Sequence, residues 1–164
     1  MLTTKRIAFL AAMAALANIL GLLKLSIGQL TIHLLQLPII LTGLVLGALA
    51  GGAVGLVGAI LGALTLSPPN PYIIIGNAIL GFFTGLLYDR LRGMKTAPIV
   101  PQSFALAGAF LLQAPYAYVT DVYLMAIPSA IAQLLLLTLF IEDTLSLLIC
   151  HVILFRIDIV KLLG

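Results

Sequence analysis

The chain has 164 residues, of which 63% are hydrophobic and 8% are charged, and its formal net charge is +3. A soluble domain carries about 25% charged residues, so this chain could not cover a globular surface with polar groups. We therefore expect an all-α integral membrane protein with a single domain over residues 1–164. Its single cysteine, Cys150, excludes an intrachain disulfide.

Apolar segments and turn signals predict a compact bundle of six membrane-spanning helices. The apolar stretch 34–66 would form one helix about 50 Å long. Because a hydrocarbon core is only about 30 Å thick, we divide this stretch at the doublet Gly51-Gly52. Ser67-Pro68-Pro69-Asn70-Pro71 predicts an external turn, and helix six is expected to begin after a join between Gln133 and Ile141. The predicted helices cover about residues 5–23, 34–49, 53–66, 71–91, 102–119 and 135–157.

The basic residues favour six spans with both termini in the cytoplasm. In that topology Lys24 is the one basic residue outside, and seven lie inside: Lys5, Arg6, Arg90, Arg92, Lys95, Arg156 and Lys161. This distribution follows the positive-inside rule, and five or seven spans would destroy it. The sequence therefore predicts a multi-pass protein of the cell membrane.

Small residues recur at helical spacing in four of the predicted helices. In lipid, small residues four positions apart allow helices to approach closely. Glycines 43, 47, 51 and 55 are expected to form one packing stripe, which Gly81 and Gly85 repeat in helix four. The first helix carries a smooth alanine strip that could pack inside the bundle or face a second protein. Ala8, Ala12 and Ala15 lie on one face, with Ala11, Ala14 and Ala17 beside them.

The motifs of common enzymes and metal sites are missing. There is no GxxxxGK[ST] motif for ATP and no HExxH motif. Cysteine and histidine do not cluster, and His33 and His151 are too far apart in the predicted topology to share a metal. We expect no enzyme activity, no metal and no cofactor in this chain.

Polar residues gather in the outer half of the predicted bundle. Polar groups inside a span are costly and tend to be functional, and here they could converge on a small-molecule pocket with apolar walls. Several also have a structural interpretation. The tyrosines could anchor the protein at the membrane interface, Asn70 could cap a helix, and Asn77 could form an interhelical hydrogen bond. Glu142 and Asp143 could lie at the outer, N-terminal end of helix six. The candidate binding residues are His33, Gln36, Asn70, Tyr72, Asn77, Gln113, Tyr116, Glu142 and Asp143.

With these features the chain resembles the substrate-binding S components of energy-coupling factor (ECF) vitamin transporters. The likeness begins with KRIAFLAAMAALA and continues through HLLQLPIILTGLVLGALAGGAVGLVGAI. The segment NPYIIIGNAILGFFTGLLYDRL is similar to helix four of the riboflavin-type members. Two features depart from the family: Ala48 stands where proline is frequent, and the first external loop, 24–33, is short.

The resemblance implies a subunit that captures a vitamin or related micronutrient from outside the cell. It would then dock on a transmembrane T subunit through Ala8, Ala11, Ala12 and Ala15, with ATP used only by two partner ATPases. No nucleic-acid partner is implied. The substrate stays open, because the acids suggest a cationic or amine-bearing ligand whereas helix four suggests a flat neutral heterocycle.

Two other functions are compatible with the residues. The chain could be a self-contained carrier or channel that uses Glu142 or Asp143 as a proton or cation site. It could also be a membrane scaffold without a ligand. A bound small molecule would favour the S component, and uptake driven by a pH gradient without ATPases would favour the carrier.

Overall fold

The computed structural model describes residues 3–27, 30–157 and 159–163, which form a helical bundle with one small hairpin. A π-helical turn, Thr120–Leu124, extends the sixth helix. The strands β1 and β2 are Leu25–Ile27 and Leu30–Ile32. The helices are α1 Thr4–Leu22, α2 Gln36–Leu46, α3 Ala48–Gly58, α4 Ile60–Leu64, α5 Tyr72–Leu91, α6 Ile99–Val119, α7 Ser129–Arg156 and α8 Ile159–Leu163.

The break between α2 and α3 lies at Gly47 and not at the predicted doublet. Gly47 has φ 84°, a left-handed conformation that glycine adopts without steric cost. Gly51 and Gly52 lie inside α3, where both are buried. A glycine doublet therefore marks close packing here, and the chain reverses four residues earlier.

The structure also differs from the prediction in the loop 24–33 and at the start of the last long helix. The loop 24–33 contains the antiparallel pair β1–β2, in which Leu25 faces Ile32. No join interrupts α7, which runs unbroken over 28 residues. Its sequence contains neither glycine nor proline, and a helix about 42 Å long is accommodated in a bilayer by tilting.

α5 is the centre of the bundle and packs against α2, α3 and α6. The predicted glycine stripe makes this packing possible. A Cβ atom added to Gly51 would overlap the Gly81 carbonyl, one added to Gly55 would overlap the Asn77 carbonyl, and one added to Gly43 would lie 2.9 Å from the Gly81 oxygen. Backbone therefore meets backbone between α3 and α5.

The alanines of α1 divide into two faces. Ala14 and Ala17 are buried, and a Cβ atom on Gly58 of α3 would lie 2.6 Å from the Ala17 Cβ. The other alanines leave an exposed strip on α1, formed by Ala8, Ala11, Ala12 and Ala15.

The first and last helices meet at one end of the bundle, where Lys5 Nζ donates to the Leu162 carbonyl at 3.4 Å. Within the described ranges, three helices are long and apolar enough to cross a membrane, namely α1, α5 and α7. The segments Gln36–Leu46 and Ala48–Leu64 are apolar but shorter. The count of six spans and the cytoplasmic position of the termini stay predictions.

Replacing Gly81 by alanine should destabilise the bundle, because the new methyl group meets the Gly51 carbonyl. Overpacking of this kind costs about 1–3 kcal/mol. We expect Gly81→Ala to lower the melting temperature in detergent. Gly62→Ala is the matched control, since a Cβ atom there has its nearest neighbour at 3.9 Å. Equal shifts in the melting temperature of both variants would show that the close α3–α5 contact does not limit the stability of the bundle.

Candidate functional site

A cavity of about 390 Å³ lies at the end of the bundle opposite the Lys5–Leu162 contact. Its walls come from the hairpin, the first turns of α2 and α5, the last turns of α6 and the middle of α7. Small-molecule sites have volumes of about 300–1,000 Å³. The cavity is therefore large enough for one vitamin-sized molecule.

Most of the candidate binding residues line this cavity. They come from segments that are more than 100 residues apart in the chain, since His33 and Glu142 are 109 positions apart. Eight of the nine residues are in its wall: His33, Gln36, Asn70, Tyr72, Asn77, Gln113, Tyr116 and Glu142.

Glu142 organises the wall between α2 and α7. Its side chain is 3% exposed. Oε1 accepts a hydrogen bond from the His33 backbone N–H at 2.8 Å, and Oε2 accepts one from Gln36 Nε2 at 2.9 Å. The His33 Nδ1 atom is 3.4 Å from Oε1. Burial lowers the pKa of His33, which lies outside the spans, and the nearby Lys24 charge lowers it further.

A second cluster of hydrogen bonds forms the opposite wall. Asn70 Nδ2 donates to Asp121 Oδ1 at 3.1 Å, while Asn70 Oδ1 accepts from the Tyr72 N–H at 3.1 Å. The Tyr116 hydroxyl donates to the Tyr72 carbonyl at 3.2 Å. Burial raises the pKa of Asp121 in the connection after α6, and the Asn70 hydrogen bond opposes that rise. Asn70 thus binds the first backbone N–H of α5 and also joins this helix to the π-helical turn.

Three amide oxygens in the wall have no hydrogen-bond partner within the described part of the chain: Gln36 Oε1, Asn77 Oδ1 and Gln113 Oε1. Their side chains are 1–3% exposed. A buried acceptor without a partner costs about 1–3 kcal/mol. The oxygens belong to side chains in the cavity wall but are themselves almost fully covered, so a ligand with N–H or O–H donors would reach them once these side chains turn.

Asp143, the ninth candidate, does not line the cavity. Successive residues of an α-helix point about 100° apart, so Asp143 cannot share the direction of Glu142. Asp143 is 1% exposed, and neither carboxyl oxygen has a hydrogen-bond partner among the residues described. Both acids lie more than three turns inside α7, which begins at Ser129. They are therefore not at the helix mouth that a start near Ile141 would have given them.

Residues other than the nine candidates also line the cavity. Lys24, Thr31, Asp121 and Thr138 contribute polar groups to its wall. Thr138 could have been found, because it lies four positions before Glu142 and therefore on the same helical face. The apolar part of the wall, such as Leu35 and Ile73, carries no signal that separates it from ordinary core.

Comparison with known families decides the class of protein. The model of the family described as "ECF-type riboflavin transporter, S component" matches residues 1–157. The chain belongs to this family. A solved structure described as "Structure and mechanism of the S component of a bacterial ECF transporter" aligns with a TM-score of 0.72 and 20% identity, over 93% of this chain and 94% of that one. No match was found among curated proteins.

The S-component family explains the general features of the chain. An S component is the substrate-binding subunit of a membrane transporter, and this agrees with a multi-pass apolar bundle that encloses a cavity at one end. The similar structure, at 20% identity, shows the shared fold alone.

Proposed function

We propose that this S component captures riboflavin, or a closely related flat heterocycle, from outside the cell. The observation that carries the proposal is the cavity of about 390 Å³, in whose wall eight polar residues chosen from sequence come together. The family to which the chain belongs is described as the S component of riboflavin transporters. The ligand enters at the end of the bundle opposite the two described chain ends.

The chemistry of the cavity wall supports such a ligand. A flavin has a flat apolar ring system, an imide N–H and a side chain with several hydroxyl groups. The amide oxygens of Gln36, Asn77 and Gln113, which have no partner among the described residues, would turn towards the ligand and accept hydrogen bonds from these donors. Apolar residues such as Ile73 and Leu139 provide surfaces for the ring. The Glu142 carboxylate already accepts two hydrogen bonds from the protein, and these stabilise it without a cationic ligand.

The S-component family implies partner subunits for transport, and the sequence has no ATP-binding motif of its own. We propose that the chain docks on a transmembrane T subunit served by two ATPases. The exposed strip on α1 is the docking surface: Ala8, Ala11, Ala12 and Ala15. Its small side chains would allow a partner helix to approach closely within the bilayer. Both termini are placed in the cytoplasm, where the ATPases act.

The first test is identification of the bound ligand. The protein is purified in mild detergent after expression in rich medium, then denatured, and the released small molecules are identified by mass spectrometry. We expect riboflavin or a related heterocycle in near-equal amount to the protein. If none is released and added riboflavin gives no thermal shift, the proposal fails. Uptake that follows a pH gradient without ATPases would then indicate a self-contained carrier, with the unpaired Asp143 as its candidate proton site.

Replacing Asn77 by leucine should weaken ligand binding without unfolding the protein. Asn77 Nδ2 donates to the Ile73 carbonyl in its own helix, at 2.9 Å, so no interhelical bond among the described residues is lost. Loss of one buried acceptor should raise the Kd for riboflavin about tenfold, as measured by fluorescence titration. Thr42→Val is the control, because Thr42 is equally buried and bonds to Pro38 in its own helix. An unchanged Kd would remove Asn77 from the binding site.

Replacing Ala12 by tryptophan should abolish ATP-driven uptake while riboflavin binding is retained. The exposed Ala12 lies on the proposed docking strip, where a large ring would hold the partner helix away. Uptake is measured in vesicles that contain the complete transporter. Leu111→Trp is the control, since Leu111 of α6 is 70% exposed on another helix. Normal uptake by Ala12→Trp would show that docking occurs elsewhere.

A further inference from the structure

Asn18 is a polar residue near the C-terminal end of α1, four positions before Leu22, and it does not line the cavity. Its amide group contacts another part of the chain. Nδ2 donates to the Val57 carbonyl at 2.9 Å and to the Ala14 carbonyl at 3.0 Å. Oδ1 accepts from the Leu61 backbone N–H at 2.8 Å. One side chain thus holds a carbonyl and an N–H group of the α3–α4 segment.

The two groups that Asn18 binds would pair with each other in a continuous helix. An α-helix joins the N–H of each residue to the carbonyl four positions earlier, which is the relation between Leu61 and Val57. α3 ends between them at Gly58, and α4 begins at Ile60. The Asn18 amide takes the place of this backbone bond, and a side chain inserted in this way is an established cause of helix bends.

The segment that follows this break forms part of the cavity wall. Gly62 of α4 lines the cavity, as do Leu66 and Ser67 in the segment that follows α4. Gly21, three residues after Asn18 on α1, is in the same wall. Free backbone groups are costly in hydrocarbon, and Asn18 supplies partners for two of them where α3 ends and α4 begins.

The same helix carries the proposed docking strip. Ala15 of this strip is three positions before Asn18 and is exposed, whereas Ala14 and Ala17 are buried against the bundle. A displacement of α1 by a partner would move the Asn18 amide relative to Val57 and Leu61. The Asn18 side chain therefore forms one link between the helix that carries the docking strip and the cavity wall.

We propose that Asn18 is a positioning residue through which α1 sets the bend between α3 and α4 and thereby retains the ligand. This rests on the proposed binding and docking roles. When the partner moves α1, the amide leaves the bend, the α4 wall shifts, and the ligand is released. Asn18 does not contact the ligand and acts only through the position of α4.

The test compares the rate of riboflavin release from two variants. Asn18→Leu keeps the size of the side chain and removes both hydrogen bonds to α3–α4. We expect release to become about tenfold faster, equivalent to about 1.4 kcal/mol, as followed by flavin fluorescence in detergent. Gln102→Leu is the matched control, since its Oε1 atom contacts His151 Nδ1 at 2.9 Å across α6 and α7, outside the cavity wall. Asn18→Ser gives the same comparison if Asn18→Leu does not fold.

A second measurement does not depend on the ligand. Gly62→Cys introduces a thiol into the cavity wall, where a Cβ atom has room, while the native Cys150 is buried. Labelling of this thiol by a water-soluble maleimide should become several-fold faster when Asn18→Leu is added, and should not change with Gln102→Leu. Unchanged release and labelling, or equal effects of the two variants, would overturn the positioning role. If the wild type fails to bind riboflavin, the proposed substrate is wrong and the labelling rates alone decide the role of Asn18.

Discussion

The backbone contact between α3 and α5 is the constraint on which the structure depends. Helices gain little hydrophobic stabilisation from association within lipid, so close van der Waals contact must replace it. At Gly51 and Gly81 the two backbones approach more closely than any side chain would allow. Gly55 packs on the Asn77 carbonyl in the same interface, and the contact that holds α5 therefore also sets the depth of Asn77 in the cavity.

Polar side chains then determine how the remaining helices sit around this pair. Glu142 ties α7 to the start of α2 through two hydrogen bonds, and Asn70 ties the start of α5 to the π-helical turn. Asn18 ties α1 to the bend between α3 and α4. Two of these three ties lie in the cavity wall, and the third supports it. Hydrogen bonds that hold the bundle together thus also shape the binding site.

Much of the site could be predicted from the sequence, because a polar residue in an apolar span is conspicuous. Eight of nine candidates line the cavity, and Asp143 fails because adjacent positions on a helix point in different directions. The apolar wall could not be predicted, since leucine and isoleucine look alike whether they face a ligand, a neighbouring helix or lipid. Asn18 is just as conspicuous in its apolar helix, but its role could not be predicted, because its partners are backbone groups of another helix, which leave no pattern in the sequence.

The sequence by itself determined the membrane environment, the helical class, the glycine stripe and the resemblance to S components. These follow from composition and local spacing, which the bilayer constrains strongly. Only the tertiary structure decided that the chain turns at Gly47, that α7 is unbroken, and that the alanines of α1 divide into a buried and an exposed face. Each of these depends on which helix lies opposite, and local sequence does not contain that information.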